Sequence, residues 1–161
     1  SQGIPFLHAG QEFARTKGGE HNSYRSPDRI NRIDWSRKVK YREIFDYTRG
    51  LIALRRAHPA FRMTSNKEIQ AKLTFLDMPT PQMVGYFLGP HAGGDPWGII
   101  VVIFNAGKDP ATVKLRPGRW GTVVDDHRAE LQPFGEFIDD AVIVAGRSCR
   151  ILVDLDSIKE E

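Results

Sequence analysis

The sequence predicts an α+β chain in which one strand, one loop and one helix precede an antiparallel β-sandwich. Two observations lead to this prediction. A short apolar run at residues 4–7 is followed by a long polar segment at 10–31 and then by a helical pattern after Trp35. From about residue 66 onward, the apolar residues change from the spacing of a helix to the alternation of strands, with turn clusters between them.

The apolar run contains Ile4, Phe6 and Leu7 between two glycines, and it predicts a short strand buried on both faces. The segment that follows is dense in Gly, Asn, Asp, Arg and Pro, which is typical of a long loop. In barrels and doubly wound sheets, the loop after a strand carries the ligand chemistry. We therefore expect the functional groups in residues 10–31.

A helix is expected after Trp35, because apolar and aromatic residues recur at helical spacing there. Ser36 is a candidate N-cap, and Pro59 ends the helix. Gly50 lies in its middle and costs about 1 kcal/mol relative to Ala, so tertiary packing is expected to hold the helix at that point. The expected buried stripe consists of Tyr41, Ile44, Phe45, Thr48, Leu51, Ile52 and Ala53.

The remaining residues predict about seven short strands separated by Gly- and Pro-rich turns, the pattern of an antiparallel β-sandwich. The expected strands lie at 70–76, 83–88, 98–104, 112–115, 120–124, 141–144 and 149–155. The continuously apolar stretch after Gly98 is expected to be central in the sheet.

The charge distribution excludes several classes of partner. Residues 1–65 carry 13 Lys and Arg against 6 Asp and Glu, whereas the rest carries 10 against 14. The basic excess is interrupted by acidic residues and lacks an aromatic ladder, so we expect a solvated or interdomain face and no nucleic-acid partner. No apolar run approaches the roughly 20 residues that a membrane helix needs, and no membrane partner is expected.

Neither a metal site nor a cofactor site is expected. Cys149 is the only cysteine, so neither an internal disulfide nor a thiolate cluster can form, and a buried inert thiol is the expected state. The five histidines lack ligand spacing, and the acidic pairs at 125–126 and 139–140 are expected to be exposed turns rather than a calcium site. The first residue is not Met, so we expect a longer parent protein, either cytoplasmic or secreted.

The amino-acid sequence of the N-terminal third resembles that of a known enzyme family. The segments GIPFLHAGQEF, RTK, HNSY, PDRIN and IDW resemble the last strand, loop and helix of the catalytic (β/α)8 barrel of type I pullulanases. These are α-1,6-glucan debranching enzymes of glycoside hydrolase family 13, within the α-amylase superfamily. The resemblance implies that residues 1–63 are the end of that barrel and that residues 66–161 are the C-terminal β-sandwich.

The family resemblance also implies a reaction. Its members hydrolyse α-1,6 branch links in pullulan, amylopectin or limit dextrin with retention, without a redox or nucleotide cofactor. The family's catalytic carboxylates follow earlier barrel strands and would precede Ser1. We therefore assign no catalytic residue to this chain, and Glu12, Glu20 and Asp28 are not promoted to that role.

The loop is instead expected to contact an α-glucan substrate in the full-length enzyme. Its candidate contact residues offer a carboxylate, amides, a guanidinium and an aromatic face, which suit the hydroxyls and apolar faces of glucose. They are Asp28, Arg15, Asn22, Tyr24 and Asn31. The alternative is structural: Arg15 and Asp28 pin the loop by a salt bridge, and the asparagines serve turns. For Glu12 a structural carboxylate is the favoured interpretation.

Three further interpretations stay open from the sequence. The chain can belong to an isoamylase-like debranching or branching enzyme, or it can be a non-catalytic structural or sugar-binding module. A sugar-binding module would use exposed aromatic platforms, for which the candidates are Tyr86, Phe87, Trp97 and Trp120. The exposed helix face or an unpaired strand at 1–7 can also support a dimer.

Overall fold

The computed structural model describes residues 2–159, which divide into two compact units. One unit holds residues 4–49, and the other holds residues 50–159 together with residues 2 and 3. None of the helices in these residues combines the length and apolar character required to cross a membrane.

The unit at 4–49 is mostly loop with short helical turns. It contains a 3-10 turn at Gln11–Phe13, helices α1 (Asp28–Asn31) and α2 (Arg37–Lys40), and the first half of α3 (Arg42–Ala57). The strand predicted at 4–7 is wrong, because Ile4 and Phe6 are 98% and 88% exposed in irregular backbone. A strand needs a neighbour to satisfy its N–H and C=O groups, and no strand in the described sheet pairs with this segment.

The helix after Trp35 starts differently from the prediction. Ser36 itself has helical dihedral angles and its side chain caps nothing. Its N–H and hydroxyl instead donate to Asp34 Oδ1 at 3.1 and 2.6 Å, and these hydrogen bonds lower the pKa of the Asp34 carboxyl. Tyr41, with φ −115° and ψ 44°, interrupts the helical backbone and separates α2 from α3.

The second unit begins with the end of α3, followed by a 3-10 turn at Pro59–Arg62 and the seven-residue helix α4 (Asn66–Lys72). Six antiparallel strands form one sheet in the order β1-β2-β3-β6-β4-β5, so the expected antiparallel topology is confirmed. The strands are β1 (Leu73–Phe75), β2 (Met83–Leu88), β3 (Ile100–Asn105), β4 (Ala111–Val124), β5 (Gly135–Val144) and β6 (Ser148–Asp154).

Several predicted strand boundaries are wrong. Residues 70–72 belong to α4, because the Ser65 hydroxyl accepts the Glu68 N–H and caps a helix there. The strands predicted at 112–115 and 120–124 are one strand, β4, whose pairing with β5 shifts register between Lys114 and Gly118. The Pro and Gly in this stretch therefore mark a bulge rather than a turn.

The sheet curls so that its β4–β5 end packs over β2 and β3. Two strands, β6 and β4, lie between β3 and β5 in the sheet order, yet Asn105 Nδ2 on β3 is 3.3 Å from the Val144 carbonyl on β5. In a flat sheet these strands would lie about 14 Å apart. The enclosed core consists of Met83, Val101, Ile103, Val113, Trp120, Val142, Val144 and Leu152. The predicted sandwich is thus one continuous sheet folded over its own core.

Candidate functional site

The polar loop of the first unit is closed at its base by aromatic and cationic contacts. The rings of Phe13 and Trp35 lie 5.6 Å apart, and Phe13 is 1% exposed. Arg37 donates from Nε and Nη2 to the Ala14 carbonyl at 3.0 and 2.5 Å, while its guanidinium lies 4.5 Å from the Tyr41 ring centroid. These contacts bring the two ends of the loop together.

Two of the predicted sugar-contact residues, Arg15 and Asn31, take part in the hydrogen bonds inside this loop. Arg15 Nη1 donates to the Ala9 carbonyl at 3.1 Å, and Nη2 donates to the Asn31 carbonyl. Asn31 Nδ2 donates to the carbonyls of Ser23 and Ser26, both at 2.8 Å. The Arg15 guanidinium therefore bonds to carbonyl oxygens. Among the described residues it forms no salt bridge with Asp28, which the structural alternative required.

The other three predicted contact residues, Asn22, Tyr24 and Asp28, are exposed at the tip of the loop. The Tyr24 side chain is 79% exposed, with the Arg25 guanidinium 6.0 Å from its ring centroid. Asp28 begins helix α1, and its backbone carbonyl accepts the Arg32 N–H at 2.7 Å. The tip therefore presents a phenol, an amide and a carboxylate to solvent, which are groups that can hydrogen-bond to sugar hydroxyls.

Glu12 and Glu20 are used locally. Glu12 is half-buried and its Oε2 accepts the Gly10 N–H at 3.0 Å, which stabilises the 3-10 turn. Glu20 Oε1 accepts the Asn22 N–H at 3.0 Å. Glu12 thus has the structural role expected of it, at a turn instead of a strand end. His8 is exposed.

The described residues contain no group of three or more His, Cys, Asp or Glu side chains placed to hold a metal ion. Cys149 is half-buried, and burial raises the pKa of its thiol to about 12. It lines an open depression of about 200 Å³ next to Arg150. The Arg150 guanidinium is engaged there with the Ile143 carbonyl and the Thr122 hydroxyl, at 3.2 and 3.1 Å.

The aromatic platforms proposed for a sugar-binding module are not available on the sheet. Tyr86, Trp97 and Trp120 are 5%, 6% and 1% exposed, and Phe87 packs against the core. None of the four side chains is exposed, so none offers an open ring on which a sugar could stack. This part of the sugar-binding interpretation is wrong.

Sequence reasoning missed a buried polar cluster made by His58, Asp95 and Trp97. His58 Nδ1 lies 3.0 Å from Asp95 Oδ1, and the His58 and Trp97 rings stack with centroids 3.5 Å apart. The Asp95 carboxylate also accepts the N–H groups of Ala60 and Trp97, and Asp95 is 0% exposed. The only sequence indication was an Asp two residues before a Trp in a Gly- and Pro-rich turn, a pattern that ordinary surface turns share.

The fold places the second unit in the class of all-β domains, and comparison with known proteins identifies which one. Residues 69–128, which run from the last turn of α4 beyond the end of β4, match the family model described as the pullulanase all-beta domain. These residues therefore belong to the pullulanase all-beta domain family.

Relatives extend the similarity along most of the chain. The chain is 44% identical over 115 residues to a pullulanase of Bacillus subtilis (strain 168), covering 71% of the chain and 16% of that protein. It superposes on the structure of the pullulanase from Bacillus acidopullulyticus with a TM-score of 0.91 and 40% identity, over 96% of the chain and 19% of the other.

A type I pullulanase from Bacillus subtilis str. 168, solved with maltose, superposes with a TM-score of 0.85 and 38% identity, over 94% of the chain and 21% of that structure. The resemblance to pullulanases that the first third of the sequence suggested is thus confirmed. The chain spans only about a fifth of the length of these relatives.

Proposed function

We propose that this chain is the C-terminal portion of a pullulanase-like glycoside hydrolase that hydrolyses α-1,6 branch links in pullulan, amylopectin or limit dextrin with retention. The observation that carries the proposal is the match of residues 69–128 to the pullulanase all-beta domain. The Bacillus subtilis relative solved with maltose supports an α-glucan as the substrate. The matching domain favours this assignment over an isoamylase-like enzyme.

Within that enzyme, residues 1–63 form the end of the catalytic barrel, and residues 66–161 form the β domain. The exposed apolar side chains of Ile4 and Phe6 support this, because an apolar segment from a barrel core stays in water until neighbouring barrel strands cover it. On α3, Ile44 and Ile52 are each 43% exposed. The alternative cover for these apolar side chains is a second copy of the chain, in a dimer formed through this helix.

The catalytic carboxylates lie outside this chain in our proposal. A retaining glycosidase needs two carboxyl groups about 5 Å apart across the scissile bond. Of the carboxylates in the loop, Glu12 holds the Gly10 N–H and Glu20 holds the Asn22 N–H. These local hydrogen bonds support a structural role for both.

The loop contributes substrate contacts. Asn22, Tyr24 and Asp28 contact the glucan directly from the exposed tip, and their exposure supports this role. Arg15 and Asn31 complete the set of five contact residues at the side of the loop, where they also support its tip. A phenol ring against the apolar face of a glucose and a carboxylate on its hydroxyls are the interactions expected.

The test uses the full-length protein that carries this chain. Tyr24→Ala and Asp28→Asn are expected to raise the KM for pullulan about tenfold, since one good contact contributes about 1.4 kcal/mol. Arg29→Ala, at the exposed neighbouring position of α1, is the matched control. Wild-type enzyme that releases no reducing sugar from pullulan contradicts the proposed activity, whereas unchanged KM values in both variants contradict only the contact roles.

A further inference from the structure

The carbonyl of Ala14 is the point at which the loop is fixed. Ala14 ends the 3-10 turn with φ 57° and ψ 42°, a left-handed conformation that residues other than Gly and Asn adopt at a cost. Surrounding contacts must hold a residue in such a conformation. The Ala14 N–H donates to the Gln11 carbonyl, and the Ala14 carbonyl accepts hydrogen bonds from the Arg37 side chain.

Arg37 approaches Ala14 from the far end of the loop, 23 residues along the chain. Its Nε and Nη2 both donate to the one carbonyl oxygen, and its guanidinium stacks on Tyr41. Hydrogen bonds from a charged donor are roughly twice as strong as neutral ones, and the planar guanidinium fixes direction as well as distance. A lysine at this position would keep the charge and lose the paired donors.

A continuous set of hydrogen bonds connects this contact with the tip of the loop. Arg15 follows Ala14 directly and donates to the Asn31 carbonyl, and the Asn31 side chain donates to the carbonyls of Ser23 and Ser26. Ser23 and Ser26 enclose Tyr24 in the sequence. Tyr24 is therefore connected to Ala14 through the side chains of Arg15 and Asn31 and the backbone on either side of Tyr24.

We propose that Arg37 is a positioning residue for glucan binding, which acts through the Ala14 carbonyl to hold Tyr24, Asn22 and Asp28 in their binding arrangement. This proposal rests on the substrate-contact role proposed for the loop. Arg37 itself does not touch the substrate. Its loss is expected to weaken substrate binding while the chemical step, performed elsewhere, continues.

The first measurement is amide hydrogen exchange in the 161-residue chain. Arg37→Ala is expected to speed exchange of the hydrogen-bonded amides at Ser26, Ile30 and Asn31 by about tenfold, and Arg37→Lys by less, since one charged hydrogen bond contributes about 1.5 kcal/mol. Lys40→Ala removes an equal charge from the same helix and is the matched control, expected to leave those rates unchanged. Equal exchange in Arg37→Ala and wild type overturns the proposal.

The second measurement is a KM and kcat comparison on pullulan with the full-length protein. Arg37→Ala is expected to raise KM about tenfold, with kcat within twofold and a melting temperature close to that of Lys40→Ala. Should Arg37→Ala misfold, Arg37→Lys carries the test, with a smaller rise in KM expected.

The outcomes separate the two proposals. Active wild-type protein with an unchanged KM in both Arg37 variants overturns the positioning role and leaves the debranching activity in place. Wild-type protein without activity on pullulan contradicts the proposed function, and with it the substrate half of this inference. A fall in kcat at constant KM also overturns the positioning role, because it would place Arg37 in the chemical step.

Discussion

Gly50 occupies the middle of helix α3 because the helix is approached there by another backbone. A Cβ placed at position 50 would lie 2.1 Å from the carbonyl oxygen of Ala129, in the loop after β4. The helix-breaking tendency of this glycine is therefore offset by close packing, as the sequence led us to expect. The sequence did not indicate which segment packs against Gly50, because Ala129 lies far from it along the chain.

Gly50→Ala is expected to destabilise the protein by about 2 kcal/mol, although Ala is the better helix former by about 1 kcal/mol. The added methyl group displaces the Ala129 backbone or bends the helix. Urea unfolding followed by circular dichroism measures the change. Gly135→Ala, where a Cβ meets nothing within 4 Å, is the control and should stay close to wild type. A stabilised Gly50→Ala protein would contradict the packing argument.

Tyr86 has a buried hydroxyl group whose effect on the free energy of unfolding can be measured. Tyr86 is 5% exposed, and its OH is buried without a hydrogen-bond partner in the described residues. Burial, with a smaller contribution from the nearby Cys149 thiol, raises the pKa of Tyr86 to about 12. The folded protein therefore keeps this proton at pH values where the unfolded chain, with a Tyr pKa near 10, has begun to lose it.

Tyr86→Phe is expected to leave the free energy of unfolding unchanged at pH 7 or to raise it by about 1 kcal/mol, because it removes an unpaired polar group. In wild type, the unfolded state binds fewer protons than the folded state between about pH 10 and 12, so stability falls as pH rises through this window. Tyr86→Phe should flatten that fall. Denaturation at pH 7 and at pH 10.5 measures both effects, with Tyr24→Phe as the exposed control. A loss of about 1 kcal/mol or more at pH 7 would reveal a hydrogen bond that the structure does not contain.

The connection between β2 and β3 is held to the turn after α3 by the buried Asp95. Its carboxylate hydrogen-bonds to the His58 ring and accepts the N–H groups of Ala60 and Trp97. One side chain therefore joins the β2–β3 connection to the turn after α3. Removing it would leave two backbone N–H groups and the His58 ring without their partner in a site where Asp95 is 0% exposed.

Asp95→Ala is expected to cost about 3–5 kcal/mol of stability, the range seen when one partner of a buried polar pair is removed. Because His58 loses its Asp95 partner in this variant and its ring stacks on Trp97, the fluorescence of Trp97 should also change. Thermal unfolding and the tryptophan emission spectrum provide the two measurements. Asp77→Ala, at an exposed position, is the control. A cost below about 1 kcal/mol would mean that water replaces the carboxylate.

Sequence patterns predicted the central elements and failed at their ends. The residues of β2 are those expected, because a short apolar run with β-branched and aromatic residues between two turn clusters predicts a strand without long-range information. The first half of β5 was missed because its charged and exposed residues carry no alternation, and it forms by pairing with β4. The strand predicted at 4–7 failed because a strand depends on neighbours that local sequence cannot supply.

The residues of the polar loop could be named from the sequence, but the contacts that they make within the loop could not. The loop at 10–31 and its polar composition were evident, and so was a structural carboxylate at Glu12. Nothing in the spacing of Arg15, Asn31 and Arg37 indicates that they bond to backbone carbonyls of the same loop. Such contacts depend on how a long loop closes on itself, which sequence periodicity does not describe.

At the scale of the whole molecule, the chain combines a basic loop unit with an all-β unit. The Bacillus pullulanases that it resembles are about five times longer. A barrel of the catalytic kind takes about 250 residues, so 161 residues are too few to hold a whole barrel. We propose that this chain supplies the β domain and a substrate loop, and that the reacting carboxylates lie elsewhere in the enzyme.

The most direct test is reducing-sugar release from pullulan by the purified 161-residue chain, run beside the full-length protein. Circular dichroism of the short chain controls for folding of the sheet. We expect no release by the short chain and steady release by the full-length protein. Any release by the isolated short chain would contradict this placement, because a complete pair of catalytic carboxylates would then reside in it. No release by either protein would contradict the debranching function.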